Sequence, residues 1–132
     1  MTDLQYTPIM KPRFGALERI DVGTLAAAVT EQWYSETLCQ VSDSIVRLGV
    51  FCGEYHWHHH DDEDEFFYVV EGRLHIELEG HPTVELGSGQ GVTVPQGLEH
   101  RPIAPARTIV LVIERASVRP TGDQEAHGHT SR

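Results

Sequence analysis

From Leu38 onward the chain is cut into short runs rich in valine, isoleucine, phenylalanine and tyrosine. They read SIVRLGVFC, EFFYVVEG, RLHIELEG, PTVELGSG, GVTVPQG and RTIVLVIE. Glycine, proline and aspartate punctuate them at intervals of about eight to twelve residues, a spacing that predicts an antiparallel sandwich or barrel. Within RLHIELEG, Leu74, Ile76 and Leu78 share one face, and Arg73, His75, Glu77 and Glu79 the other. Strand side chains alternate between faces, so the first set is expected in the core and the second in water.

The region before these runs reads differently. Residues 1–20 hold Pro8 and Pro12, show no period, and are expected to form an arm against the body. DVGTLAAAVTEQW, Asp21 to Trp33, reads as a short helix. Asp21 can cap it, the alanines favour it, and Leu25, Ala28 and Val29 give it an apolar stripe. A chain of 132 residues fits one domain, placed here at 21–123. The aperiodic polar segment 124–132 is expected to be a disordered tail.

The formal net charge of -10 repels phosphate backbones and anionic lipid surfaces, so neither nucleic acid nor membrane is an expected partner. Cys39 and Cys52 form no C-x-x-C pair and are expected as free thiols. The N-terminus lacks a basic start followed by an apolar run, which predicts a cytoplasmic protein.

The chemistry concentrates in YHWHHHDDEDEFFYVVEG, Tyr55 to Gly72. Residues i and i+2 of a strand point the same way, so His58 and His60 can hold one ion while His59 points away. The same three histidines also suit a solvated loop patch. Asp61, Asp62 and Asp64 read as a solvated turn without calcium-loop spacing. Glu65 leads into a strand and can add a carboxylate to the histidines; Glu63 is the competing candidate. Farther on, GQGVTVPQGLEHRPIA places His100 just after a Pro-x-Gly turn, at the start of a strand.

Together these segments resemble the cupin superfamily. Gly53, His58, His60, Glu65 and Gly72 follow its first motif; Gly89, Pro95, Gly97 and His100 follow its second. The resemblance spans roughly residues 20 to 123 of a small single-domain cupin. The spacer from Gly53 to His58 is one residue short, and Ala104 stands where an asparagine often closes the second motif.

The resemblance implies an all-β jelly-roll barrel, a double-stranded β-helix, with a short N-terminal helix. It implies one divalent transition metal (Fe, Zn, Ni or Mn) held by His58, His60, Glu65 and His100, with one or two positions open. Such a site suits a metal-dependent enzyme acting on a small polar metabolite. Iron would fit a dioxygenase; zinc, nickel or manganese would fit an isomerase or lyase. A non-catalytic module that binds a small molecule or metal is the alternative. Tyr55, Trp57, Phe67 and Arg47 are candidates for the pocket wall or for anchoring an anionic group. His56 reads as a general base, an outer support or a solvated residue; His59, His75 and His81 read as solvated or structural. Phe66, Tyr68 and Val70 suit either a homodimer face or the core.

Overall fold

The computed structural model describes residues 6–123. The expected tail, 124–132, and the first five residues of the arm lie outside them. One helix, α1 (Val22–Ala27), precedes seven strands: β1 (Trp33–Val41), β2 (Ser44–Glu54), β3 (Glu65–Glu71), β4 (Arg73–Leu78), β5 (His81–Gly87), β6 (Gly91–Val94) and β7 (His100–Arg115). All strand pairs are antiparallel, in the order β1-β2-β7-β3-β6, with β4 joining β5 to β7. No helix among the described residues is long and apolar enough to cross a membrane.

Strand β7 organises the barrel. Its first part pairs with β4, from Leu78↔His100 to His75↔Ile103, and its second part runs between β2 and β3. One strand therefore belongs to both walls. The register with β2 shifts between Gly53↔Ala104 and Phe51↔Thr108, and Pro105 falls within that step. A proline that cannot donate to a ladder is tolerated where pairing is interrupted.

Inward-facing residues of both walls, among them Trp33, Phe51, Phe67, Val69, Leu74, Ile76, Val110 and Val112, form one buried cluster. A second cluster lies outside the sheet, where Ala26 of α1 packs with Leu38, Leu48, Val50 and Ile109. The alternation expected of β4 is present: Leu74 and Ile76 are fully buried, Leu78 packs against the core half-buried, and Glu77 and Glu79 lie farther out. Phe66, Tyr68 and Val70 share the opposite face of β3 from the buried Phe67 and Val69, and Tyr68 and Val70 are exposed. Cys39 and Cys52 are free thiols.

The N-terminal region departs from expectation in two places. The helix covers Val22–Ala27 rather than reaching Trp33, although Asp21 caps it, accepting from the Thr24 amide at 3.0 Å. The missed strand is β1. Trp33 enters it because its ring stacks on Phe51 at 4.1 Å and on Tyr55 at 5.0 Å, burial that no local helix could supply. The arm packs on the body, as expected. It adds a short parallel bridge, Ile9↔Glu36, along the otherwise open edge of β1. Covering that edge removes a template for unwanted pairing.

Gly72 turns β3 into β4 with φ of +110°, and a Cβ there would lie 2.7 Å from Thr108 Oγ1 and 3.0 Å from its Cα. Thr108 Oγ1 in turn donates to the Arg73 carbonyl at 2.8 Å, so it has little freedom to yield. Gly72→Ala should lower unfolding stability by about 1–3 kcal/mol. A urea midpoint equal to wild type would contradict this account of the turn.

Candidate metal centre

The sheet register sets the interior of the barrel. Glu65 of β3 stands opposite Glu114 of β7, and Phe67 opposite Val112. Val112 in turn faces Arg47 of β2, which faces Thr37 of β1. Alternation therefore sends Glu65, Glu114 and Arg47 inward among apolar neighbours. His58 and His100 are joined by a two-residue bridge, with reciprocal backbone bonds of 3.0 and 2.8 Å.

The structure brings His58, His60, Glu65 and His100 together. All four are buried, and their nearest ligand atoms lie within 4.8 Å of one another. Glu65 Oε1 sits 3.1 Å from His100 Nε2 and 3.2 Å from His60 Nε2. His58 Nδ1 donates to the His56 carbonyl at 3.0 Å, and His100 Nδ1 to the Leu98 carbonyl at 2.8 Å. Carbonyls can only accept, so they place the proton on Nδ1 and leave each Nε2 lone pair free. His60 makes no hydrogen bond of good geometry at either ring nitrogen among the described residues, though it is 2% exposed.

The electrostatics suit a cation. Burial, and then the neighbouring His100, lowers the His58 pKa to about 3, so its imidazole is neutral at ordinary pH. Burial pushes Glu65 up, but the His100 and His60 imidazoles beside its Oε1 outweigh it and hold the group as a carboxylate. Burial likewise pulls His60 down, yet the adjacent Glu65 carboxylate raises it overall. Three imidazoles and one carboxylate, with an orphaned buried ring nitrogen among them, form a donor set able to hold one divalent transition metal. The donor set does not select among Fe, Zn, Ni and Mn.

The other candidates separate around this group. Glu63 is buried but stands outside the cluster, and its Oε2 accepts from Ser117 at 2.7 Å. Asp61, Asp62 and Asp64 are exposed, as expected of the turn. His59 is not solvated: it is buried, with ring nitrogens 3.0 Å from Asp61 and 3.1 Å from Glu99. These carboxylates give it a polar setting on the side of the loop away from the cluster. His56 stacks on Tyr55 and contacts the Thr121 carbonyl at 2.7 Å, which ties the loop to the C-terminal turn. His75 is half-buried and His81 exposed. Trp57 is 43% exposed and carries Arg101 over its ring, outside the pocket wall proposed for it.

Beside the cluster lies a cavity of about 30 Å³, bounded by His58 and Glu65 at one end and by Arg47, Ser35 and Tyr6 at the other. Trp33, Phe51, Tyr55 and Phe67 form its aromatic wall, and Glu114 also lines it. Arg47 is 1% exposed. It donates to Thr37 Oγ1 at 2.5 Å and to the Ser35 hydroxyl, and its Nε lies 3.7 Å from Glu114 Oε2. Despite that cation, burial and the adjacent Glu65 hold the Glu114 carboxyl well above the usual carboxylate range. Its Oε1 has no hydrogen bond among the described residues.

Tyr6, Ser35 and Glu114 were not expected at the site. Glu114 had a signal: it shares the inward phase of RTIVLVIE with Val110 and Val112. Ser35 shares the phase of Trp33 and Thr37 in β1, the strand that sequence reasoning missed. Tyr6 is placed by tertiary packing and carries no local signal.

The sequence profile of the cupin domain matches residues 52–114, the stretch carrying all four cluster residues. An uncharacterized protein of Bacillus subtilis, YdbB, is 40% identical over 90 residues, covering 68% of this chain and 80% of that protein. A cupin-2 domain protein from Shewanella frigidimarina is 29% identical with a TM-score of 0.68, covering 73% of this chain and 93% of that one. A chain from the crystal structures of the DMSP lyases RdDddP and RnDddQII is 28% identical with a TM-score of 0.52. That match covers 58% of this chain and 40% of the other. Barrel, motif residues and relatives agree: the chain belongs to the cupin family, as a small cupin whose domain closes around a His58–His60–Glu65–His100 cluster.

Proposed function

We propose that this cupin is a metal-dependent enzyme that performs lyase or isomerase chemistry on a small polar metabolite. The observation that carries the reading is the second buried carboxyl, Glu114, in the same cavity as the four-residue cluster. A cluster built only to store a metal needs no such neighbour. A divalent cation held by His58, His60, Glu65 and His100 supplies a Lewis acid that polarises an oxygen of the bound molecule. Glu114 is placed to hold or receive a proton at Oε1, the work of a general acid or base. Arg47 fixes Glu114 from behind and adds positive charge to the cavity. The aromatic wall excludes water and strengthens these interactions. The lyases named among the structural relatives are consistent with this chemistry and do not extend to it by themselves.

Homodimer formation is part of the same proposal, through the face that exposes Tyr68, Val70 and Ile113. Sedimentation at twice the chain mass would support it, and a strictly monomeric mass would remove it.

Elemental analysis of the purified protein tests the metal. About one equivalent is expected in wild type and none in a His58→Ala/His100→Ala double variant. Zinc, nickel or manganese fits the lyase or isomerase reading, whereas iron turns it toward dioxygen chemistry. Glu114→Gln should keep the metal and lose turnover by about a hundredfold, assayed on small carboxylic acids. A ligand-induced rise in melting temperature without any product would favour the non-catalytic binding module instead.

Metal stabilisation has a defined pH dependence. His60 and Glu114 both have raised pKa values in the folded chain. Each therefore stabilises the metal-free protein below its unfolded pKa and loses that contribution as pH rises through its folded pKa. A cation competes with the same His60 proton, so its effect grows in the same direction. The metal-induced rise in melting temperature should increase with pH as the His60 proton is lost. Free cation at about a hundred times its Kd should add about 2.7 kcal/mol. A shift that shrinks with rising pH would sink the assignment.

A further inference from the structure

The cavity has room only for a molecule of a few heavy atoms as it stands. About 30 Å³ holds roughly two waters. Its strand-borne walls cannot retreat without breaking ladders: Trp33 and Ser35 belong to β1, Arg47 and Phe51 to β2, Phe67 to β3, and Val112 and Glu114 to β7. Tyr6 is different. It reaches the cavity from the arm, ahead of α1 and β1, and from outside the matched cupin segment. Its ring meets Tyr55 edge-on at 5.6 Å, and it lines the same end of the cavity as Ser35 and Arg47. Near Tyr6 the arm is held by the bonds of Ile9, from its amide to the Ser35 carbonyl at 3.0 Å and from the Thr37 amide to its carbonyl at 2.9 Å. Ile9 and Met10 are otherwise exposed.

The charge at this end of the cavity selects a ligand class. Around the Arg47 guanidinium stand the neutral oxygens of Ser35, Thr37 and Ile9 and the sulfur of Met10, with the Glu114 carboxyl no nearer than ion-pair distance. A divalent cation, Arg47, Glu65 and Glu114 together carry net positive charge whichever state Glu114 takes. A buried site with that balance favours an anion, and a carboxylate matches a guanidinium best.

We propose that Tyr6 is the specificity-determining residue of this cavity: it occupies the Arg47 end and restricts the site to small carboxylates. The inference rests on the metal-site reading above. Removing the Tyr6 ring opens space of the same shape as an aryl group, next to the same guanidinium, so a bulkier carboxylate should enter where only a small one could.

Acetate and phenylacetate carry the same carboxylate and differ by one ring, which makes them suitable probes. Cobalt(II)-loaded protein reports their binding through its visible spectrum, independently of turnover. Tyr6→Gly should bind phenylacetate at least about tenfold more tightly than wild type, with acetate changed by less than about threefold. Tyr6→Phe keeps the ring and should keep the wild-type size preference, and it guards against a merely unfolded glycine variant. Phenylacetate affinity equal in wild type and Tyr6→Gly, with one equivalent of cobalt in both, would overturn the role of Tyr6 alone. Failure of wild type to take up cobalt would overturn the metal reading and this inference with it.

Discussion

The carboxylate of Glu65 is buried inside an apolar barrel, and an unpaired charge there would cost many kcal/mol. The surrounding structure answers that cost. His60 and His100 bring ring nitrogens within 3.2 Å of its Oε1, and Glu114 stands opposite it on the next strand. Arg47 then meets Glu114, and Thr37 and Ser35 meet Arg47. This chain of polar groups runs through the barrel from β3 across β7 and β2 to β1. Such a network is worth having only when nearly every member is satisfied, and among the described residues three of its atoms, both ring nitrogens of His60 and Glu114 Oε1, make no hydrogen bond. A bound cation and ligand would supply partners to His60 Nε2 and Glu114 Oε1.

The network depends on register. A slip of one residue between β7 and β2 would point Arg47 outward and send Leu48 into the cavity. Pairing β7 with both walls makes that slip costly, because moving it against β2 also moves it against β3 and β4. The same long strand carries His100 at its first residue and Glu114 near its last. One residue of the four-residue cluster and the second buried carboxyl are thus fixed on one rigid element, a better arrangement than two loops could give.

Much of this was legible because it is periodic. His58, His60, Glu65 and His100 sit at spacings that strands and a Pro-x-Gly turn translate directly into a shared location, and the four do meet. Trp33 was misread because three alanines and a cap favour helix locally, whereas the aromatic stack with Phe51 and Tyr55 acts only in the folded chain. Of the two readings open for His59, the structure selects the structural one. Its sequence neighbourhood is densely acidic and looks wet, yet one of its two carboxylate contacts, Glu99, comes from 40 residues away and encloses it. Glu114 could have been found by applying to RTIVLVIE the alternation already used for RLHIELEG. Tyr6 could not, since its place follows from where the arm docks.

That division has a physical meaning. The matched cupin segment, 52–114, supplies the four cluster residues and much of the frame, while much of the opposite cavity wall comes from residues 6–51. The C-terminal turn makes a similar contribution from the other side. Gly122 approaches His58 so closely that a Cβ would fall 2.4 Å from the His58 Cβ, and its φ of +96° suits glycine. Pro120 lines the cavity beside it. Segments flanking the domain therefore press on a cluster they do not themselves compose. Ligand choice can then change through the arm and the turn without disturbing the electrostatic network that the barrel needs in order to fold.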